Sequence, residues 1–141
     1  MLKLTGKIEA EIRKAGAEAY PNECCGILFG GEVGEDQVVK SLRPIVNARE
    51  SGEQYHRFLI TAEDMMQAEI AARKLGLEIV GFYHSHPDHP AEPSEYDRDH
   101  ALPFYHYIIL RVAKGRPEDM TDWRLRLSRE AFDREEITIE P

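Results

Sequence analysis

The chain has 141 residues, 42% of them apolar and 31% charged, a balance that supports one packed core and is not that of a disordered chain. Its formal charge of −8 argues against nucleic acid as the main partner, because a phosphate backbone demands a basic face. No window reaches the roughly 18 apolar residues of a membrane span, and Met1–Gly6 lacks the apolar run of a secretory leader, so a cytoplasmic location without a membrane partner is expected.

In chain order, Ile8, Ile12, Ala15 and Ala19 recur at helical spacing behind Thr5 as N-cap, and Pro21-Asn22 ends that helix after Tyr20. Cys25 to Gly30 predicts a buried strand, with Gln37 to Leu42 its hairpin partner across a glycine-rich turn. Arg43 to Gln54 carries loop signals, and Tyr55 to Ile60 predicts a further strand. Thr61-Ala62-Glu63-Asp64 resembles a capping box with Asp in its fourth place. The helix it opens has an apolar face of Met65, Met66, Ala68, Ile70, Ala71 and Leu75, and Gly76 stops it. Leu77 to His84 follows as a largely apolar, hence central, strand. Beyond a proline-rich loop, Ser94 starts a short helix reaching about Ala101, and Tyr105–Ala113, Trp123–Ser128 and Glu136–Ile139 predict three more strands. The expected architecture is α/β, a mixed sheet flanked by helices, in a single domain over residues 1–141.

Cys24 and Cys25 are adjacent, a poor geometry for a mutual disulfide, and they lack the C-x-x-C spacing of a thiolate metal site. Two free thiols are expected.

The informative stretch runs from His84 to Asp97. His84 and His86 stand two apart at a strand end, so their imidazoles leave the same face. Alone, His-x-His is a weak signal. Seven residues separate His86 from Ser94, and Ser94 and Asp97 share one face of the next helix and can look back toward the histidines. Pro87, Pro90 and Pro93 stiffen the loop between, which lowers the entropy cost of that meeting. Two neutral imidazoles and one carboxylate suit Zn2+ and leave a fourth position open, the mark of a catalytic site. A zinc ion lowers the pKa of bound water to about 7, and hydrolysis then needs a proton shuttle and an oxyanion donor.

These residues resemble the JAMM, or MPN-plus, metalloprotease family, whose pattern is an upstream Glu, then His-Ser/Thr-His, seven residues, Ser, two residues and Asp. Glu23, His84, Ser85, His86, Ser94 and Asp97 fill every place. Tyr20 to Gly30 matches the family's first-strand region and Gly81-Phe82-Tyr83 precedes the histidines as expected, so the resemblance spans about residues 5 to 128. It implies a curved mixed sheet with a layout related to cytidine deaminases. It assigns zinc to His84, His86 and Asp97, the proton shuttle to Glu23, and the oxyanion contact to Ser94; Ser85 would support the metal loop. The short prokaryotic members imply a ubiquitin-like or sulfur-carrier protein with an extended C-terminal tail as partner and substrate. Self-association is left open.

Other readings stand beside this one. Family relatives that lose the metal serve as scaffolds for protein–protein interaction, but they lose residues that are all present here. A zinc deaminase requires His-x-Glu and Pro-Cys-x-x-Cys, and neither occurs. A cysteine peptidase on Cys24 or Cys25 would need a depressed thiol pKa. His89 and His100 are read as solvent-facing or supporting, His56 and His106 as ordinary strand residues, Trp123 as packing with a polar partner for its N–H, and Arg43 to Tyr55 as the edge on which an extended tail would lie.

Overall fold

The computed structural model describes residues 1–46 and 60–141. The strand expected from Tyr55, and most of the tail-binding edge expected from Arg43 onward, therefore lie outside the described residues.

The chain opens with strand β1 (Leu2–Thr5), whose last residue caps helix α1 (Gly6–Ala19) by accepting the Ile8 N–H on Thr5 Oγ1. Ile8, Ile12 and Gly16 turn to the sheet. At Gly16 an added Cβ would stand 2.7 Å from Leu110 and 3.7 Å from the Ser85 Cβ, so the missing side chain is what lets α1 lie close under the sheet. Strands β2 (Cys25–Val33) and β3 (Asp36–Ile45) form the expected hairpin, β2 running on past Gly30 and β3 extended at both ends.

Helix α2 (Ala62–Lys74) has the full capping box, with Thr61 and Asp64 each accepting the other's backbone N–H. It ends at Gly76, φ +69°, with Leu77 N–H on the Ala72 carbonyl and Gly76 N–H on that of Arg73. Its buried side is narrower than the pattern predicts. Only Ala68 and Ala72 are buried, Met65 and Ala71 pack at the margin, and Met66, Ile70 and Leu75 are exposed. Apolar residues on three sides of the helix outnumber what one sheet face can cover.

Strand β4 (Glu78–Pro87) is followed by helix α3 (Glu95–His100) and strands β5 (His106–Ala113), β6 (Arg116–Leu125), β7 (Phe132–Glu135) and β8 (Ile137–Glu140). Together the strands make an eight-stranded mixed sheet in the order β7-β6-β5-β4-β2-β3-β1-β8. β4 lies centrally, antiparallel to β2 and parallel to β5. Two departures from expectation concern the bounds and number of strands. β6 begins at Arg116 rather than Trp123, since polar Arg116–Asp119 is held by pairing to β5. β1 and β7 were not expected; each is four residues long and is defined by its partners, β1 between β3 and β8, β7 beside β6. No helix among the described residues is long and apolar enough to cross a membrane.

Candidate metal centre

The sheet brings the site together on one rung. Cys25 of β2, His84 of β4, Ile109 of β5 and Thr121 of β6 are successive partners across four strands. Alternation along β4 sends His84 and His86 to one face and Ser85 to the other. Ser85 Oγ accepts the Cys24 N–H at 2.8 Å, and the Ser85 N–H donates to the Cys24 carbonyl at 3.1 Å. Those two bonds lock the segment carrying Glu23 against the strand carrying the histidines.

Ser94 caps α3, accepting the Asp97 N–H at 3.1 Å while Asp97 Oδ2 accepts the Ser94 N–H at 2.9 Å. This reciprocal cap turns the Asp97 carboxylate back toward β4. Asp97 Oδ2 lies 3.1 Å from His86 Nε2, Asp97 Oδ1 lies 3.3 Å from His84 Nε2, and the two Nε2 atoms are 3.1 Å apart. The three side chains are 1%, 10% and 8% exposed for His84, His86 and Asp97. His86 Nδ1 donates to the Pro90 carbonyl at 2.9 Å, so whenever the ring is neutral with that bond kept, its lone pair is at Nε2.

Burial pushes the His84 pKa down, only partly offset by Asp97, and the ring stays neutral. At His86 burial also acts downward, but the Asp97 carboxylate and the Pro90 carbonyl outweigh it, and the net direction is up. Burial would raise Asp97, yet the two histidines hold it well below the usual carboxylate range. Asp97 is thus an anion facing two imidazole nitrogens.

The donor set fits a small divalent cation. A tetrahedral ion with bonds of roughly 2.0–2.2 Å sets its ligand atoms about 3.3–3.6 Å apart, close to the 3.1–3.3 Å found here. One proton can bridge only two of the three atoms, whereas an ion serves all. Glu23 is buried at 5% exposure, with a carboxylate oxygen within 4.8 Å of both ring nitrogens. Two donor sets therefore share the histidines, one closed by Asp97 and one by Glu23. The Asp97 triangle has the coordination spacing throughout, while the Glu23 carboxylate lies within reach of a shared water.

Two openings flank this centre. An apolar cavity of about 170 Å³ lies on the side of His84 and Asp97, walled by Phe82, Tyr107, Tyr96 and Leu102. A polar cleft of about 320 Å³ lies on the other side, lined by Glu23, His86, His89, Glu92, Ser94 and Asp97. His89 is exposed in that cleft and His100 is exposed, stacked on Tyr96 at 4.0 Å. His106 is no ordinary strand residue. It is buried against Asp122, with Nδ1 2.5 Å from Oδ2. His56 lies outside the described residues.

Burial works against either cysteine as a nucleophile. Both are free, and burial raises both thiols, Cys25 to about 12, so neither carries a thiolate at neutral pH. Residue types also failed to announce three parts of the centre. The Pro90 carbonyl is backbone. Asp88 accepts the Tyr20 O–H at 2.6 Å and the Lys114 N–H at 2.7 Å, holding the metal loop to the end of α1. Thr121 reaches the loop from β6. The one usable signal was Asp88 between prolines, a residue type that tolerates its φ of +58°.

A cluster of this kind on a mixed sheet of this order is a candidate metal centre, and comparison with known proteins gives its family. The chain belongs to the prokaryotic homologs of the JAB domain, within the JAMM/MPN family, the family profile matching residues 6–126. It is 32% identical over 103 residues to the desampylase of Haloferax volcanii, covering 72% of this chain and 71% of that protein. A solution structure from Desulfitobacterium hafniense, 30% identical, superposes with a TM-score of 0.86 over 99% of this chain and 93% of that one. A JAB1/MPN domain protein from Archaeoglobus fulgidus, at 19% identity and a TM-score of 0.63, shares the fold over 100% of this chain and 98% of its own.

Proposed function

We propose that the protein is a zinc-dependent isopeptidase or peptidase that cleaves after the C-terminal tail of a ubiquitin-like or sulfur-carrier protein. The observation that carries this is the triangle of His84 Nε2, His86 Nε2 and an Asp97 carboxylate at 3.1–3.3 Å, with the buried Glu23 carboxylate within 4.8 Å of both rings. The family and a relative named desampylase support hydrolysis on a ubiquitin-like partner.

In this reading His84, His86 and Asp97 hold the ion, which when bound supplies a Lewis acid and acidifies water. Glu23, in the polar cleft, takes a proton from the attacking water and returns it to the departing amine, so the amine leaves on the cleft side. Ser94 accepts from Asp97 N–H, and its own O–H is left to donate to the developing oxyanion. The apolar cavity beside His84 then receives the acyl side of the substrate.

The test incubates zinc-loaded protein with ubiquitin-like carriers bearing a C-terminal peptide extension or a lysine-linked adduct, beside a Glu23→Gln control. Cleavage at the end of the tail, absent in the control and after chelation, is expected. Cleavage undiminished in the control removes the shuttle role, and failure on both substrates removes the function.

A further inference from the structure

The loop that carries the metal site is tied to β6 by a polar chain that no part of the mechanism uses. Trp123 Nε1–H donates to Thr121 Oγ1 at 2.8 Å, and Thr121 Oγ1 donates to the Ala91 carbonyl at 2.6 Å. Thr121 and Ala91 are each 6% exposed, so the bond is made out of water, where an unmet carbonyl is costly. The other carbonyl within reach, that of Ile109, is at 3.5 Å, at the outer limit of a hydrogen bond.

The position of this chain matters. Thr121 stands on the rung that holds His84, two strands away, with Ile109 between. Ala91 directly follows Pro90, whose carbonyl accepts the His86 Nδ1 proton. Upstream, Asp88 N–H is fixed on the Val112 carbonyl at 2.8 Å. The Pro90 carbonyl is therefore bracketed by two backbone anchors, one at Asp88 and one at Ala91. Removing the second lets the intervening peptide plane rotate, and with it goes the acceptor that keeps the proton on Nδ1 and the lone pair on Nε2.

We propose that Thr121, oriented by Trp123, is a positioning residue for the metal centre, acting through Ala91 and Pro90 to set the tautomer and aim of His86. The proposal rests on the reading of His86 as a zinc ligand. It concerns a residue outside the Glu, His-x-His, Ser, Asp pattern altogether.

The experiment uses the full chain with ¹⁵N-labelled histidine. In metal-free protein, imidazole nitrogen shifts report the His86 tautomer; zinc affinity is then measured by competition with a chromophoric chelator. Wild type should show Nδ1 protonated, with or without a second proton on the Nε2 that faces Asp97. Thr121→Val should show a mixture of tautomers and bind zinc roughly tenfold more weakly, the lower end of losses for groups that orient a ligand. Thr121→Ala repeats the measurement without a methyl pressed on the Ala91 carbonyl, should the valine variant not fold. Thr121→Ser should restore both readouts, which a purely volumetric role would not allow. Hydroxyl-free variants with the wild-type tautomer and unchanged zinc affinity overturn the proposal. Wild type that takes up no zinc would sink the metal reading, while the tautomer in metal-free protein would still decide the role of Thr121.

Discussion

The two faces of the sheet meet their helices differently. On one, α1 lies against a continuous apolar surface of Leu28, Val39, Val80, Tyr83, Ile108, Leu110 and Val112, with Ile8 and Ile12 pressed into it. On the other, α2 offers only Ala68 and Ala72 as buried contacts, and the cover beyond Phe82 passes to the short α3. β4 crosses from the covered to the open part of that second face, and its alternation delivers His84 and His86 there while Ser85 stays on the α1 side. Helix cover that stops early is what leaves room for a reaction centre. The same strand serves packing with one set of side chains and chemistry with the other.

This contrast makes substitutions separable. The largest effect should come from the open face. Chelation is expected to abolish cleavage, and Glu23→Gln to lower kcat by roughly 10²–10⁴. Because Glu23 lies outside the Asp97 triangle, zinc uptake and thermal unfolding of that variant should stay near wild type. A variant that loses zinc instead would make Glu23 a ligand, and the donor set would be His84, His86 and Glu23.

Ser94 stands at the boundary, since it both caps α3 and faces the cleft. Ser94→Ala should lose about 1 kcal/mol from the cap and roughly 10²–10³ in kcat from the lost donor. Ser94→Asp separates the two, because an aspartate still caps but has no O–H to give. Thermal unfolding close to wild type with kcat still low is the expected pair of results; recovered kcat would leave Ser94 with the cap alone.

On the α1 face, Ile12 is fully buried, and Ile12→Ala should cost about 2–5 kcal/mol in denaturant unfolding. Activity of the folded fraction should be unchanged. A fall in kcat at equal folded population would show that α1 positions the site through Ser85, and the division between the faces would fail.

The same contrast explains what could be read from the chain. α1, the β2–β3 hairpin and β4 follow from local pattern, because each buries a regular stripe. Glu23, His84, His86, Ser94 and Asp97 were legible through spacing, since alternation in β4 and the reciprocal cap of α3 fix directions locally, and the structure brings all five to one place. β1 and β7 were not legible, being four residues long: β1 is held between β3 and β8, partners distant in sequence, and β7 is a polar edge strand held, among the described strands, only by β6. The width of α2's buried side was misread because a helix can carry more apolar residues than its neighbour can cover. Pro90, Ala91 and Thr121 were hidden for another reason: backbone carbonyls have no letter, and a threonine in a strand is an ordinary choice.

The smallest effect concerns what lies beneath the open face. Cys25 pairs with His84 across the sheet, and Tyr107 walls the apolar cavity; burial raises each to about 12. The unfolded chain releases these protons near pH 8.5 and 10. Between those values and pH 12 the native state binds more protons than the unfolded state, so stability falls as pH rises. The contribution is whole below about pH 8.5 and is lost by about pH 12, at up to about 1.4 kcal/mol per unit for each group. Denaturant unfolding across pH 8 to 11 should show this decline, and Cys25→Ala should make it shallower between about pH 8.5 and 10, the remaining slope there belonging to Cys24, which burial also raises. If the opening above His84 reached down to Cys25, the thiol would ionise near its free value and the variant's curve would parallel that of wild type. A shallower decline instead places a dry layer beside His84, on the same rung as one of the histidines proposed to hold the ion.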